Sequence, residues 1–353
     1  MNILFILGNG FDINLGLKTR YQDFYDVYSK NHSNYDSVMK LKDHIGKNTD
    51  GYWSDLELAL GDYTNAFKCT EDFDEVIDDI KLSLSSYLDK VQAEFDSLSI
   101  NEVKFLYDLM YPEVHLTPAQ KDEITKFKNV FQNSHWRFSI VTFNYTHTVE
   151  RIIEKNDSSE IGSHDNTNRN GKLKHILDKN VNHIHGYVND RMILGVNDLS
   201  QVANTDLHNN IDIEESLIKS KCNEASGQKS NIFFDEKIEN ADLICAFGLS
   251  FGDSDKIWWE KIGQKLESGT SRMLIFDRST NENTTLSYKD NRTRRKVKHH
   301  FLSQTGLTED VQDSISSRVY VGINTSMFQK VASRPEKIEV ADKFGNAKID
   351  LVL

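Results

Sequence analysis

Several polar residues that could act on a bound ligand come directly after segments whose pattern predicts a β-strand. The first group, Gly8-Asn9-Gly10, ends the apolar run of residues 3–7. The later residues are Asn144, His185, Gly248, Ser250 and Asp277. Side chains of the amide, imidazole and hydroxyl types can orient water, take up a proton or bind sugar hydroxyls. If these strands belong to one parallel sheet, their ends lie at one edge and the residues form a single binding site.

The opening segment is typical of a buried parallel strand that enters a tight glycine turn. Glycine has no side chain, so backbone amides in such a turn can approach a ligand closely. A helix after the turn adds partial positive charge, which favours phosphate. We therefore predict that Gly8, Asn9, Gly10 and Phe11 contact a nucleotide. The alternative is that the glycines serve only the turn and that Asn9 stabilises the turn or caps the helix.

The glycine turn matches the dinucleotide fingerprint of hydride-transfer enzymes only in part. The third glycine of that fingerprint would fall at Ile13, where close packing of helix and strand needs a small residue. The acidic residue expected about 20 residues further on, at the end of a second strand, is also missing. Asp23 lies near that spacing, but residues 21–25 are typical of a helix. The pattern favours nucleotide binding without hydride transfer.

Length and composition limit the classes of protein that fit. The chain has 353 residues, enough for one or two domains, and a net charge of −12, which argues against a broad nucleic-acid surface. Its three cysteines lie far apart, which excludes a cysteine-rich zinc module and fits a reducing cytoplasm. No apolar stretch reaches the roughly 18 residues of a membrane span, and the N-terminal run is too short for a signal peptide. We expect a cytoplasmic protein without a membrane partner.

The spacing of apolar residues predicts an α/β fold with a large helical insertion. Residues 18–135 show mainly helical spacing. Strand-like and helical segments then alternate, and the predicted strands end near residues 143, 196, 247, 277 and 323. Such alternation indicates a parallel sheet with helices on both faces. We assign residues 1–20 plus 136–353 to a Rossmann-like core and residues 21–135 to a mainly helical insertion.

Two polar stretches interrupt the alternation. Residues 156–180 are rich in Asn, Ser and Lys and are predicted to form a mobile loop. Residues 198–232 are predicted to be polar and partly helical, and residues 192–196 to form a short strand between the two stretches. Because the stretches and the helical insertion lie between the site motifs, we expect conformational control of the site to occur there.

The residues around His185 indicate neither a metal site nor a nucleophile. His183 and His185 would share one face of a strand, but no carboxylate or cysteine lies at a spacing that supports a metal ion, so none is expected. Ser250 lies in Gly248-Leu-Ser-Phe-Gly252, which lacks the G-x-S-x-G spacing of a nucleophile elbow. We interpret Ser250 as a ligand-binding or turn residue. For Asn144, capping of the following helix is the alternative.

Four motifs resemble those of the AbiH family of bacterial phage-defence proteins. They are Gly8-Asn-Gly-Phe-Asp12 with Gly16-Leu-Lys-Thr-Arg-Tyr21, Thr142-Phe-Asn-Tyr-Thr146, His183-Ile-His-Gly186 and Phe247-Gly-Leu-Ser-Phe-Gly-Asp-Ser-Asp255. They occur in the order of that family, and the resemblance extends to about residue 280. The same order is remotely similar to sirtuin-like domains, which have a glycine turn, an Asn motif, a His-Gly and a Gly-x-Ser strand end. This resemblance implies a sirtuin-like Rossmann core.

The likeness to sirtuins implies that Asn144 and His185 line a pocket for the nicotinamide and ribose of NAD. Sirtuin-like defence domains often destroy NAD without the four-cysteine zinc module of deacylases, and this chain has too few cysteines for that module. Breaking the bond to nicotinamide needs a positioned water and a proton acceptor. Asn144 would orient the water, His185 would accept the proton, and Asp12 would stabilise positive charge on the ribose. The other predicted contacts to NAD are the glycine turn, Phe143, Gly186, Gly248, Ser250 and Asp277.

The leading hypothesis is therefore hydrolysis of NAD to nicotinamide and ADP-ribose during phage infection. We expect a homo-oligomer that responds to a phage-derived trigger. One alternative is a non-catalytic module that binds NAD or ADP-ribose and signals to a partner. Another is a toxin that acts on nucleic acid through the basic run of residues 291–300, although such a run is usually a solvated helix face.

Overall fold

A mostly parallel sheet forms the centre of the computed structural model, which describes residues 1–48, 52–95, 100–168, 170–278 and 287–330. The strands in these residues are β1 (Asn2–Leu7), β2 (Trp136–Thr142), β3 (Glu160–Asp165), β4 (Lys172–Leu177), β5 (Asn182–His183), β6 (Leu243–Phe247), β7 (Arg272–Asp277) and β8 (Val319–Ile323). Their order is β3-β4-β2-β1-β6-β7-β8, and β5 pairs with the last residues of β2. The predicted α/β class with a mainly parallel sheet is confirmed.

Strand β1 lies in the middle of the sheet because its whole apolar run is buried. Residues 3–7 are at most 2% exposed. At its carboxyl end, Leu7 is paired with Thr142 of β2 on one side and with Phe247 of β6 on the other. A continuous apolar run, without alternation, is what a strand covered on both faces requires. Among the strands of the described residues, β3 alone runs antiparallel, beside β4 at the edge of the sheet.

Successive strands of the chain are added first on one side of β1 and then on the other. The chain passes from β1 to β2 on one side, and it returns later to β6 on the other side of β1. In open parallel sheets, ligands bind in the crevice that such a reversal leaves at the carboxyl ends of the strands. The turn after β1 and the loop after β6 lie at this crevice.

Helices cover both faces of the sheet. They are α1 (Asn9–Asn14), α2 (Tyr21–Tyr28), α3 (Asp36–Lys47), α4 (Leu56–Tyr63), α5 (Thr70–Ala93), α6 (Glu102–Met110), α7 (Pro118–Asn129), α8 (Thr148–Ile153), α9 (Ile211–Leu217), α10 (Lys219–Ala225), α11 (Ser230–Asn240), α12 (Lys256–Ser268), α13 (Ser287–Gln304) and α14 (Glu309–Ser316). Ile3, Phe5 and Leu7 pack on one face with α6, α7 and α8. Leu4 and Ile6 pack on the other face with α11, α12 and α13. Because side chains alternate between the two faces along β1, this strand contributes to the apolar core on each face of the sheet.

The residues between β1 and β2 form helices of two kinds. Helices α6 and α7 belong to the layer that covers the sheet. Helices α2 to α5 enclose a separate apolar core around Trp53, which also contains apolar residues from the range 188–218. That core places α4 beside the crevice, so residues far from the sheet motifs reach the candidate site.

Two expectations about irregular segments were wrong. Residues 160–177 contain the β3–β4 hairpin where a mobile loop was predicted. The side chains of Leu173, His175 and Leu177 lie on the inner face of β4, and the buried His175 ring stacks on Trp136 with ring centroids 4.5 Å apart. Because histidine is a polar residue, the alternation of inward and outward side chains could not be recognised from the sequence. Residues 192–196 are not a strand, and their pairing is a single bridge between Val196 and Ile218.

The basic run of residues 291–300 lies on α13, and its side chains are exposed or half-buried. This is the arrangement expected for the solvated face of a helix. No helix in the described part of the chain is long and apolar enough to cross a membrane.

The turn after β1 and the loop after β6 are in direct backbone contact. A Cβ atom at Gly10 would lie 2.5 Å from the Cα atom of Gly248, and a Cβ atom at Gly8 would lie 2.5 Å from the Gly248 carbonyl oxygen. Gly248 itself has φ of 66°, a conformation that favours glycine. The glycines at all three positions are therefore required by the contact between the two loops.

Replacing Gly10 by alanine should lower the free energy of unfolding by about 1–3 kcal/mol, because the two loops must move apart. Gly46→Ala is a matched control, since Gly46 is also helical and has no atom within 4 Å of an added Cβ. In the Gly46→Ala variant the free energy of unfolding should rise by about 0.5–1 kcal/mol, because alanine has a better helix propensity than glycine. Urea unfolding of both variants measures the difference, and equal stabilities would contradict the close contact.

Candidate functional site

A cavity of about 630 Å³ lies in the crevice at the carboxyl ends of β1, β2 and β6. The predicted site residues that line it are Gly8, Asn9, Gly10, Asp12, Phe143, Asn144, His185, Gly248 and Ser250. Helix α2 and the segment around α4 add further lining residues, among them Tyr21, Trp53, Asp55 and Glu57. The polar strand ends are thus adjacent in space, which is the arrangement that the sequence pattern predicted.

Three predicted residues lie outside this cavity. The fully buried Phe11 ring packs on Phe328, with ring centroids 5.5 Å apart, so its side chain belongs to the core. Gly186 has φ of 65°, and a Cβ there would lie 2.1 Å from the Arg191 carbonyl oxygen, so a tight turn accounts for this glycine. Asp277 lines a neighbouring cavity of about 240 Å³, which shares Gly10, Gly248 and Ser250 with the first.

The glycine turn differs from an open phosphate cradle. The backbone N–H of Gly8 donates to the Phe247 carbonyl at 3.0 Å, and that of Gly10 donates to the Gly248 carbonyl at 2.9 Å. The Asn9 amide donates to the Thr19 carbonyl at 2.8 Å and accepts from the Thr19 hydroxyl at 2.5 Å. The side chain of Asn9 therefore stabilises the local chain, as the turn interpretation expected, and two of the turn amides are already engaged.

Asp12 is placed by α1 against the segment that follows β2. It is 1% exposed, and its Oδ2 accepts a hydrogen bond of 2.5 Å from the Thr146 hydroxyl. Its Oδ1 is buried without a hydrogen-bond partner. Burial raises the pKa of Asp12 to about 6, against the opposing effect of the Thr146 hydrogen bond. A carboxylate of this kind is ionised at neutral pH at a cost in stability.

The buried side-chain amide of Asn144 makes no hydrogen bond of full geometry, and it lies close enough to Asp12 to stabilise the charged form of that carboxyl group. The residue is 6% exposed and lines the cavity. Its backbone is held firmly, because its carbonyl accepts from His183 Nδ1 at 2.8 Å and its N–H donates to the Thr142 hydroxyl at 3.1 Å. A buried amide usually has partners. A fixed backbone with an unpaired amide favours a ligand-binding role over capping.

His185 is oriented by a carboxylate that sequence reasoning did not connect with it. Its Nε2 lies 2.8 Å from Oδ1 of Asp255, whereas its buried Nδ1 has no partner. Burial and the nearby Lys219 ammonium lower the pKa of His185, so the ring is neutral at physiological pH. Because Nε2 faces a carboxylate, the single proton of the neutral ring lies on Nε2, and Nδ1 is a hydrogen-bond acceptor.

Lys219 neutralises two buried carboxylates beside His185. Its Nζ lies 2.8 Å from Asp255 Oδ1 and 2.8 Å from Glu57 Oε2. Burial raises the pKa of Glu57 to about 7, in spite of Lys219. For Asp255, Lys219 and His185 together outweigh burial and hold the pKa below its usual range. The network joins α4, α10 and the loop before α12 at one wall of the cavity.

The residues missed by sequence reasoning were Glu57, Lys219 and Asp255. Glu57 lies in the otherwise apolar start of α4, and Asp255 ends the quoted glycine-serine motif. A single charged residue in an otherwise apolar helix indicates that its side chain is buried and paired with an opposite charge. Lys219 carried no such signal, because it lies in a segment with several other charged residues, such as Glu215 and Lys221.

Comparison with known proteins identifies the family. The model of the family described as "Bacteriophage abortive infection AbiH" matches residues 4–277, more than half of the chain. The chain belongs to the AbiH family. The match confirms the resemblance of the motifs and indicates a role in abortive infection of bacteriophage. No curated protein matches the chain.

The AbiH match runs from β1 to the end of β7 and includes every residue that lines the cavity. Helices α13 and α14 and strand β8 lie outside the matched range. The cavity is thus built entirely from the AbiH part of the chain, and the basic run on α13 is not.

Asp12→Asn should stabilise the protein at pH 7.5. The folded-state pKa near 6 lies above the unfolded value of 3.8, so the folded state binds protons more tightly and ionisation opposes folding as pH rises. Removing the charge should raise the free energy of unfolding by about 1–3 kcal/mol above pH 6, and the gain should vanish near pH 4. Urea unfolding across this range tests it, with the exposed Asp157→Asn as control. A pH-independent effect would contradict the raised pKa.

Lys219→Met should be strongly destabilising, because it leaves two carboxylates buried without their cation. We expect a loss of about 3–5 kcal/mol in the free energy of unfolding. Lys221→Met is the matched control two residues further along α10, where the lysine is exposed beside Glu224 and should matter by less than about 1 kcal/mol. Thermal and urea unfolding measure both, and similar losses would exclude a structural role for the buried network.

Proposed function

We propose that this AbiH protein hydrolyses NAD to nicotinamide and ADP-ribose during phage infection. One observation carries the proposal: Asn144, Asp12 and His185 line one cavity, and each has a buried polar atom without a hydrogen-bond partner. Buried polar groups are rarely left unpaired, so a ligand with several hydroxyl and amide groups is their expected partner. The nicotinamide riboside part of NAD is such a ligand.

The size and lining of the cavity suit a nucleotide. A volume of about 630 Å³ falls within the range of about 300–1,000 Å³ typical of small-molecule sites. The partly exposed Tyr21 supplies aromatic surface for a base, with the buried Trp53 and Trp259 packed behind the cavity wall, and the exposed Arg20 supplies positive charge for the pyrophosphate. The proposal includes a sirtuin-like arrangement of the core, which is supported by the site's place at the reversal beside β1.

The chemistry assigns a role to each residue. The bond to nicotinamide breaks through an oxocarbenium-like state, and the leaving group is a neutral pyridine that needs no strong acid. The Asp12 carboxylate stabilises the positive ribose. The Asn144 amide orients the attacking water. Neutral His185, held by Asp255, accepts the proton of that water through Nδ1, directly or by way of the ribose hydroxyls.

Incubation of the purified full chain with NAD tests the proposal, with nicotinamide and ADP-ribose measured by chromatography. Asn144→Ala and His185→Ala should each lower turnover by about 10²- to 10⁴-fold while circular dichroism stays unchanged. Asn180→Ala and His299→Ala, at exposed positions, are the matched controls. Turnover that persists in both site variants would rule out these roles. In the wild type, kcat/KM should rise with pH through about 6 as Asp12 ionises.

A second candidate is a non-catalytic module that senses NAD or ADP-ribose. The buried chain His185–Asp255–Lys219–Glu57 favours it, because it links the cavity directly to α4 and the helical core around Trp53. A ligand that displaces His185 would thereby shift the helices. Calorimetry that detects ligand binding without nicotinamide release, also in the presence of phage-infected cell extract, would favour sensing over hydrolysis.

A further inference from the structure

A second cluster of functional side chains lies next to the cavity but outside its lining. It consists of His147, Glu150 and His183, whose nearest ligand-type atoms all lie within 4.8 Å of one another. His183 Nε2 is 2.6 Å from Glu150 Oε1, and His147 Nδ1 is 3.4 Å from the same oxygen. Two imidazoles and a carboxylate form a ligand set that zinc commonly takes in proteins.

Local structure explains how the three residues meet. His147 and Glu150 lie three residues apart at the start of α8, which places them on one side of that helix. His183 ends β5, which pairs with Val141 and Thr142 at the end of β2. The start of α8 follows β2 by a few residues, so the sheet pairing brings His183 beside it. Sequence spacing gave no sign of this, because Glu150 and His183 are 33 residues apart.

The hydrogen bonds of His183 direct its Nε2 atom towards Glu150. Its Nδ1 lies 2.8 Å from the Asn144 carbonyl oxygen, and a carbonyl oxygen can only accept, so Nδ1 carries a proton. In the neutral ring, Nε2 is then a lone pair that faces a carboxylate oxygen. Two acceptors 2.6 Å apart need a cation, which is either a proton on the His183 ring or a metal ion that draws the two atoms slightly apart. Metal-bound histidines typically have this pattern, with the second ring nitrogen donating to a carbonyl or carboxylate.

Glu150 supplies a further sign of an incomplete site. Its Oε2 is buried without a hydrogen-bond partner, although Oε1 faces both histidines. The side chains of His147 and Glu150 are 33% and 20% exposed, whereas that of His183 is 4% exposed. The cluster is therefore anchored on the inner side and accessible to an ion from the outer side.

We propose that His147, Glu150 and His183 bind one divalent transition-metal ion, best matched by Zn²⁺. The ligand atoms of a tetrahedral zinc site lie about 3.3 Å apart, close to the 3.4 Å between His147 Nδ1 and Glu150 Oε1, so binding requires the 2.6 Å pair of His183 and Glu150 to open by a side-chain adjustment of less than about 1 Å. The half-exposed His147 ring, packed edge-on against Tyr187 at 4.3 Å, moves to complete the site. Three protein ligands leave a fourth position for water. This revises the expectation from the sequence that no metal binds.

The metal fixes the backbone of Asn144. It holds His183, whose Nδ1–H donates to the Asn144 carbonyl, and it holds α8, which begins four residues after Asn144. The ion is thus a positioning element beside the cavity. The metal site stands on its own contacts and does not depend on which ligand the cavity binds or on whether turnover occurs.

Metal binding to the full chain tests this inference. Protein stripped with a chelator should take up one Zn²⁺ per chain in calorimetry, and Co²⁺ should give visible absorption typical of a site with nitrogen and oxygen ligands. Glu150→Gln and His147→Ala should each weaken Zn²⁺ binding by at least about 10-fold. Glu154→Gln, at the exposed C-terminal end of α8, is the matched control and should bind as the wild type does.

Two results would overturn the inference: no Zn²⁺ uptake by the stripped wild type, or equal affinity in the wild type, Glu150→Gln and His147→Ala. The cation between His183 and Glu150 would then be a proton, and the pair an ordinary ion pair. His147→Ala keeps the test valid if the Glu150 variant fails to fold, because His147 is half-exposed. Failure of NAD hydrolysis with normal Zn²⁺ uptake would count against the proposed function alone.

Discussion

The backbone of Gly10 lies against that of Gly248, with no space for a side-chain carbon on either residue. This contact sets the distance between the loops that follow the two central neighbours β1 and β6, so the floor of the cavity depends on it. It also explains why an apparent phosphate-binding turn presents few free amides, since Gly8 and Gly10 donate to the β6 loop. Glycine here permits two segments of protein to touch, and ligand contacts are left to the side chains around them.

Those side chains are arranged at a cost in stability. Asp12, Asn144 and His185 all keep a buried atom unpaired, and Asp12 is forced towards its protonated form. Lys219 offsets charge within one wall of the cavity, by pairing with Glu57 and Asp255. A fold selected for stability alone would replace such groups by apolar ones. Their presence in one cavity is the physical reason to regard it as functional.

Apolar runs made β1, β6, β7 and the edge strand β8 predictable, because their middle residues are buried and therefore apolar. The edge hairpin β3–β4 was missed, since His175 occupies an inward position among polar neighbours. Asn144 and His185 were found because they follow strand-like segments. The sequence did not predict the contact between Lys219 and Asp255 or that between Glu150 and His183. Each of these contacts joins residues far apart in sequence, and the path of the loops brings them together. Phe11 was misread because a turn motif does not tell which way a side chain points.

The central place of β1 has a consequence for synthesis of the chain on the ribosome. Leu7 emerges early, but its partner Phe247 follows about 240 residues later, a delay of roughly 10 to 50 s at ordinary translation rates. During that time β1, with five consecutive apolar residues, has an open edge and is a target for chaperones or aggregation. The cavity cannot exist before β6 arrives, so a nascent or truncated AbiH chain that stops short of β6 has no assembled site. The order of the strands thus delays assembly of the cavity until most of the protein has been made.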